Sequence, residues 1–166
     1  MTMKRLLFIL AICLGGFYIQ SRMAFSESHV MRWIAEYNNK AISGDSTVCD
    51  DFTDDVEVNI FAETGQGHWE VEGGKDEMCG YLRQASAAFI VLQASTNTQF
   101  DSLHIERGGF PWTTAQVKYH YKATMQADHI PTMTVDGNDT LILSKGIFSG
   151  LKIKALESRS GTSVSR

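Results

Sequence analysis

Between residues 112 and 126 the chain alternates with a period of two. Ala115, Val117, Tyr119, Tyr121, Ala123 and Met125 fall on one parity; Thr114, Gln116, Lys118, His120, Lys122 and Thr124 fall on the other. Only an extended strand turns successive side chains to opposite faces, so this stretch reads as a long strand with one apolar and one polar face. The apolar face must be covered. The segments before it supply the cover.

From Ser28 to Ser43 the apolar residues Val30, Trp33, Ile34, Tyr37 and Ala41 recur at helical spacing, and Gly44 is placed to end the helix. Residues 45 to 53 read as a short second helix. Val56, Val58 and Ile60 then alternate as a strand, and "ETGQGHWEVEGG" reads as a glycine-broken hairpin returning through Trp69 and Val71. Met78, Leu82, Ala85, Phe89 and Leu92 form the buried stripe of a long helix from Lys75 to Ala94. Residues 98 to 107 form a strand that ends at Gly108-Gly109. After the long strand, "VDGND" reads as a turn before strands 140 to 145 and 151 to 158. Residues 159 to 166 are polar and are expected to be a disordered tail. Helices followed by consecutive antiparallel strands predict an α+β fold, with residues 27 to 158 forming one domain.

The first 26 residues stand apart. Lys4 and Arg5 precede an apolar run from Leu6 to Ile19, and "MAFSES" follows with small residues at Ala24 and Ser26. This is the pattern of a signal peptide cut after Ser26, so residues 1 to 26 are expected to make no contact with the core. The protein then reads as exported, periplasmic or secreted, and free of the membrane once cut. An uncleaved signal anchor is the alternative. Removal leaves 12 basic against 19 acidic residues, a formal charge of −7. Such a surface repels phosphate backbones, so nucleic acid is excluded as a partner. Cys49 and Cys79 form a candidate disulfide in an oxidising compartment; two buried thiols are the other reading.

The order of elements resembles the nuclear transport factor 2-like (SnoaL-like) superfamily. The residues that carry the likeness are "WIAEYNNKAISGD", "DDFTDDVEVNI", "GGKDEMCGYL" and "DTLILSKGIFSGLKIKALESR". The resemblance implies a cone: a curved antiparallel sheet wrapped around three N-terminal helices and enclosing a pocket. It also implies a family with isomerases, dehydratases, hydrolases, cyclases and members without chemistry, so the fold does not deliver the function. The isomerase branch carries an oxyanion-donating tyrosine seven residues before the Gly-Asp step, and Tyr37 matches that position. Its catalytic aspartate falls on Ile60 here. An aliphatic side chain cannot abstract a proton, which disfavours ketosteroid isomerase chemistry by that arrangement.

The acids Asp45, Asp50, Asp51, Asp54, Asp55 and Glu57 read as a solvated edge, Asp45 capping the second helix. The resemblance places Asp55 at the mouth of the cone. His68, His104, His120 and His129 are scattered without ligand spacing, so no metal is expected, and no motif implies a cofactor. Tyr37, Ile60, Tyr119 and Tyr121, with Trp112, are the candidate pocket residues. Together these features predict a non-catalytic pocket protein for a small apolar or aromatic molecule. The alternatives are a dehydratase- or hydrolase-type enzyme using Tyr37 with Asp55 or a histidine, and a structural or partner-binding module with a filled cone. The polar strand face is a candidate surface for a modest homodimer. A buried carboxylate or histidine near Tyr37 would favour the enzyme.

Overall fold

The computed structural model describes residues 3–65, 67–128, 130–146 and 149–164. In chain order the elements are α1 (Met3–Ala24), α2 (Glu27–Ser43), a 3-10 turn (Ser46–Asp51), β1 (Phe52–Thr64) and β2 (Gly67–Gly73). These are followed by α3 (Lys75–Val91), β3 (Ser95–Arg107), β4 (Thr114–Ala127), β5 (Ile130–Lys145) and β6 (Leu151–Val164). The strands form one curved, unclosed sheet in the order β2-β1-β6-β5-β4-β3. The fold is α+β, but the sheet is not wholly antiparallel, because β1 and β6 run parallel. That pair is joined through α3 and four intervening strands, so no hairpin dictates its direction. Nor are all the covering helices N-terminal, since α3 lies between β2 and β3.

Local chemistry explains the helix ends. α2 buries Val30, Ile34 and Tyr37 and stops at Gly44, whose φ of 73° suits glycine. Asp45 Oδ1 accepts the Thr47 N–H at 2.9 Å and caps the 3-10 turn. α3 begins where Glu77 Oε2 accepts the Gly74 N–H at 2.9 Å. Cys49 and Cys79 are bonded to each other, with Cα atoms 5.8 Å apart, tying the 3-10 turn to α3. A closed loop of 30 residues removes enough unfolded-state entropy to stabilise by about 3–4 kcal/mol. Reduction should lower stability by that amount in urea titrations with and without a reductant. An unchanged midpoint would show that the bridge contributes nothing.

Three expectations need correction. "VDGND" is not a turn: Val135 to Asp139 lie inside β5, and Tyr121 pairs with Gly137 across β4 and β5. A Cβ at Gly137 would stand 2.8 Å from the Tyr121 ring and hydroxyl, so the glycine is the seat of that aromatic ring. Gly137→Ala should cost about 1–3 kcal/mol through overpacking, whereas a turn glycine with open space around it would tolerate the change. Thermal melts of the two proteins decide between these.

The tail is the second correction. β6 continues to Val164, with Met133 opposite Val164 and Thr134 opposite Ser163. Polar residues have little to bury, but the long β5 offers backbone partners that do not depend on side-chain hydrophobicity.

The third concerns the N-terminus. Leu7 to Ile19 does stay outside, with Phe8 and Ile19 68% and 60% exposed. The last turn does not. Phe25 is 1% exposed and sits in the core cluster with Val30, Ile34 and Phe52. Its carbonyl accepts from Arg107 Nη2 at 3.0 Å, and the Ser21 hydroxyl bonds the Trp112 carbonyl. A cut after Ser26 would therefore remove a core side chain.

Candidate functional site

The inward parity of β4 places Ala115, Val117 and Tyr119 in the core and leaves Tyr121 partly buried above them. Tyr37 enters the same cluster from α2 and Ile60 from β1, both 8% exposed. Tyr119 and Tyr121 lie 6.3 Å apart between ring centroids, and Phe100 meets Tyr119 edge-on at 5.7 Å. Trp33 stacks on Tyr37 at 5.8 Å, and Phe52 meets Tyr37 edge-on at 5.9 Å. On α3, Tyr81 packs against the cluster and against Trp69.

An acid that pattern reading did not single out stands among these rings. Asp139 on β5 is opposite Tyr119 on β4 and Ser158 on β6. The Tyr119 hydroxyl donates to Asp139 Oδ2 at 2.7 Å, while the buried Oδ1 has no hydrogen-bond partner among the described residues. Ser158, itself buried, lies close enough to favour the charged carboxylate without reaching hydrogen-bond geometry at Oδ1. A buried acceptor left without a donor costs about 1–3 kcal/mol, so such a group in a native protein calls for a partner or a role.

Burial dominates the electrostatics. It raises the pKa of Asp139 from its ordinary 3.8, against the opposing pull of Ser158 and Tyr119. Burial, followed by the Asp139 charge, also raises Tyr37, Tyr119 and Tyr121. Tyr81 is raised by burial. These phenols stay protonated across the physiological range, so they serve as hydrogen-bond donors rather than bases. Asp139, whose pKa is raised from the ordinary aspartate value by burial, is the member of the group suited to exchange a proton.

The other sequence candidates lie elsewhere. Trp112 is not beside the tyrosine cluster; it packs between Tyr18 of α1 and Phe110, at 5.0 and 5.2 Å. Asp55 is exposed on β1, facing Lys154 Nζ at 3.7 Å, and hydrogen bonding to Thr53 lowers its pKa. Asp51 is bridged to Lys40 at 2.8 Å with its side chain 13% exposed, so it is not part of the expected solvated edge. His104 and His120 pair with Glu106 and Asp136 at 3.1 and 3.0 Å, and His68 stacks on Phe61. His129 lies outside the described residues. Among the described residues no three metal-ligating side chains converge. A depression of about 580 Å³ includes Glu57, Asn59, Gln116, Thr140 and Glu157 in its lining. It contains none of the tyrosines or Asp139.

No protein-family model matches the sequence, and no curated protein matches it in sequence. Solved structures match in fold. A scytalone dehydratase-like protein from Novosphingobium aromaticivorans is 16% identical over 92% of each chain, with a TM-score of 0.65. A hexachlorocyclohexane dehydrochlorinase of the LinA type 2 is 11% identical over 92% of this chain and 93% of that one, with a TM-score of 0.61. The chain has the nuclear transport factor 2-like fold. A third match is a yeast complex of the deubiquitinase Ubp3 with its cofactor Bre5, at 12% identity and TM-score 0.59, covering 81% of this chain and 95% of that one. The nuclear transport factor 2-like fold thus accommodates both enzymes and partner-binding modules, and the interior residues must distinguish them.

Proposed function

We propose that this nuclear transport factor 2-like protein admits a small, largely apolar ring-shaped molecule bearing an oxygen to the tyrosine-lined interior. There Asp139 transfers a proton to or from it. The observation that carries the reading is the buried, unpartnered Oδ1 of a carboxylate whose other oxygen is held by Tyr119 at 2.7 Å. In this arrangement Tyr119 orients the acid, Oδ1 meets the ligand, and Tyr37 or Tyr121 donates to the oxygen on which charge develops. Ile60, buried where the isomerase branch carries its aspartate, supplies no second acid. The reaction class is therefore one-acid proton transfer, as in elimination or enolisation. The protein works outside the cytoplasm, where the Cys49–Cys79 bridge is stable, and its polar outer strand face supports at most a modest, wet dimer.

The test is equilibrium binding of a panel of one- and two-ring phenols and ketones, followed by deuterium incorporation into bound ketones in heavy water. Binding with exchange is the expected result. Binding without exchange would reduce the protein to a carrier, and no binding at all would contradict the reading. Tyr37→Phe should weaken binding by about 0.5–1.5 kcal/mol, the usual net value of one hydrogen bond.

A further inference from the structure

We propose that α1 is retained as a membrane anchor and that the β3–β4 loop, led by Phe110, is a second contact with the same bilayer. The apolar helical segment Leu7–Ala24 is docked to the domain over its last two turns, through Tyr18 and Ser21 against Trp112. The part free to enter a bilayer is therefore residues 7 to 17, about 16 Å at 1.5 Å per residue, or about one leaflet of the roughly 30 Å hydrocarbon layer. Phe8, Ile9, Ile12 and Ile19 are 48% to 68% exposed, and the domain covers none of them. A cleaved signal would be dispensable to the domain. Here the helix enters the domain without a linker: Phe25 N–H bonds Ser21 O at 3.1 Å, and Val30 N–H bonds Ser26 O at 2.9 Å. Phe25 itself is core.

The second observation is where α1 meets the sheet. Tyr18 packs edge-on against Trp112, and Trp112 against Phe110, which is 75% exposed. Arg22 lies over the Tyr18 ring at 5.7 Å and shares a small cleft with Arg107. Aromatic rings and arginines gathered around the exit of an apolar helix match the chemistry of the bilayer interface, where rings settle among headgroups and guanidinium groups meet phosphates. An exposed phenylalanine at that level has acyl chains as its natural cover. The β1–β2 hairpin, with exposed Gly65, lies at the opposite end of β1 from Phe52, which pairs with Ile153 near the start of β6. It should remain in water.

The experiment uses the full chain with Cys13→Ser, leaving the Cys49–Cys79 bridge intact. A polarity-sensitive dye is placed at Phe110→Cys or, as control, at Gly65→Cys. Protein reconstituted in phosphatidylethanolamine–phosphatidylglycerol vesicles with brominated acyl chains should show a blue-shifted, quenched dye at 110 and an unshifted one at 65. Exported protein should retain residues 7 to 24 by intact mass and sediment with membranes. A secreted chain that lacks those residues would overturn the proposal, as would equal dye signals at the two positions.

Discussion

Asp139→Asn is expected to lower proton exchange into a bound ketone by about 10² to 10⁴-fold, the usual contribution of a positioned acid or base. The amide keeps the size of the carboxyl group and can still accept from Tyr119, so binding should change little. It cannot take up a proton. The same variant should alter stability in a direction opposite to ordinary surface carboxylates. Burial raises the Asp139 pKa above the 3.8 of an unperturbed aspartate. Between 3.8 and the raised value the folded protein holds a proton that the unfolded chain releases, so stability increases as pH falls through that window. Asp45, Asp54, Asp55 and Glu77 act the other way, because hydrogen bonds lower their pKa values. Their stabilisation is lost at lower pH, as each is protonated in the fold. Urea midpoints of wild type and Asp139→Asn, compared across pH, isolate the first effect: the gap should narrow as pH falls toward 3.8. A constant gap would mean that Asp139 is not perturbed.

A chain beginning at Glu27 should be less stable than one beginning at Gln20 by about 3–5 kcal/mol, the range for truncating a buried phenylalanine. Phe25 is 1% exposed among Val30, Ile34 and Phe52, and its carbonyl also holds Arg107. That loss is a large part of the 5–15 kcal/mol typical of a domain. Phe25→Ala in the longer chain should reproduce most of it without removing the helix turn. Chemical denaturation of the three proteins provides the comparison. Equal midpoints for the two starting points would show that the domain core ends at residue 27 after all.

Sequence reading reached the helices, β1 and β4 because their burial is periodic and their ends carry local chemistry. The same periodicity assigned Tyr37, Ile60, Tyr119 and Tyr121 to inward faces. It did not reach Asp139, because Val-Asp-Gly-Asn-Asp is turn chemistry when read locally. Between the two long strands β4 and β6 those residues are held extended, and Tyr121 fills the space over Gly137. One signal was present: Asp139 shares parity with Leu141 and Leu143, both buried, and extending that strand backward places the acid inside. Phe25 was hidden differently. A signal-like pattern accounts for its apolarity, and only tertiary packing shows that the core claims it.

The side-chain carboxyl carbon of Asp139, followed by ¹³C NMR against pH with and without a bound phenol or ketone, tests the central claim most directly. The predicted midpoint lies above the ordinary aspartate value of 3.8, rises further in Tyr119→Phe as the hydrogen bond that favours the charged form is lost, and moves when the ligand binds. A midpoint near 3.8, unmoved by Tyr119→Phe or by any ligand, would place Asp139 in water and remove the site.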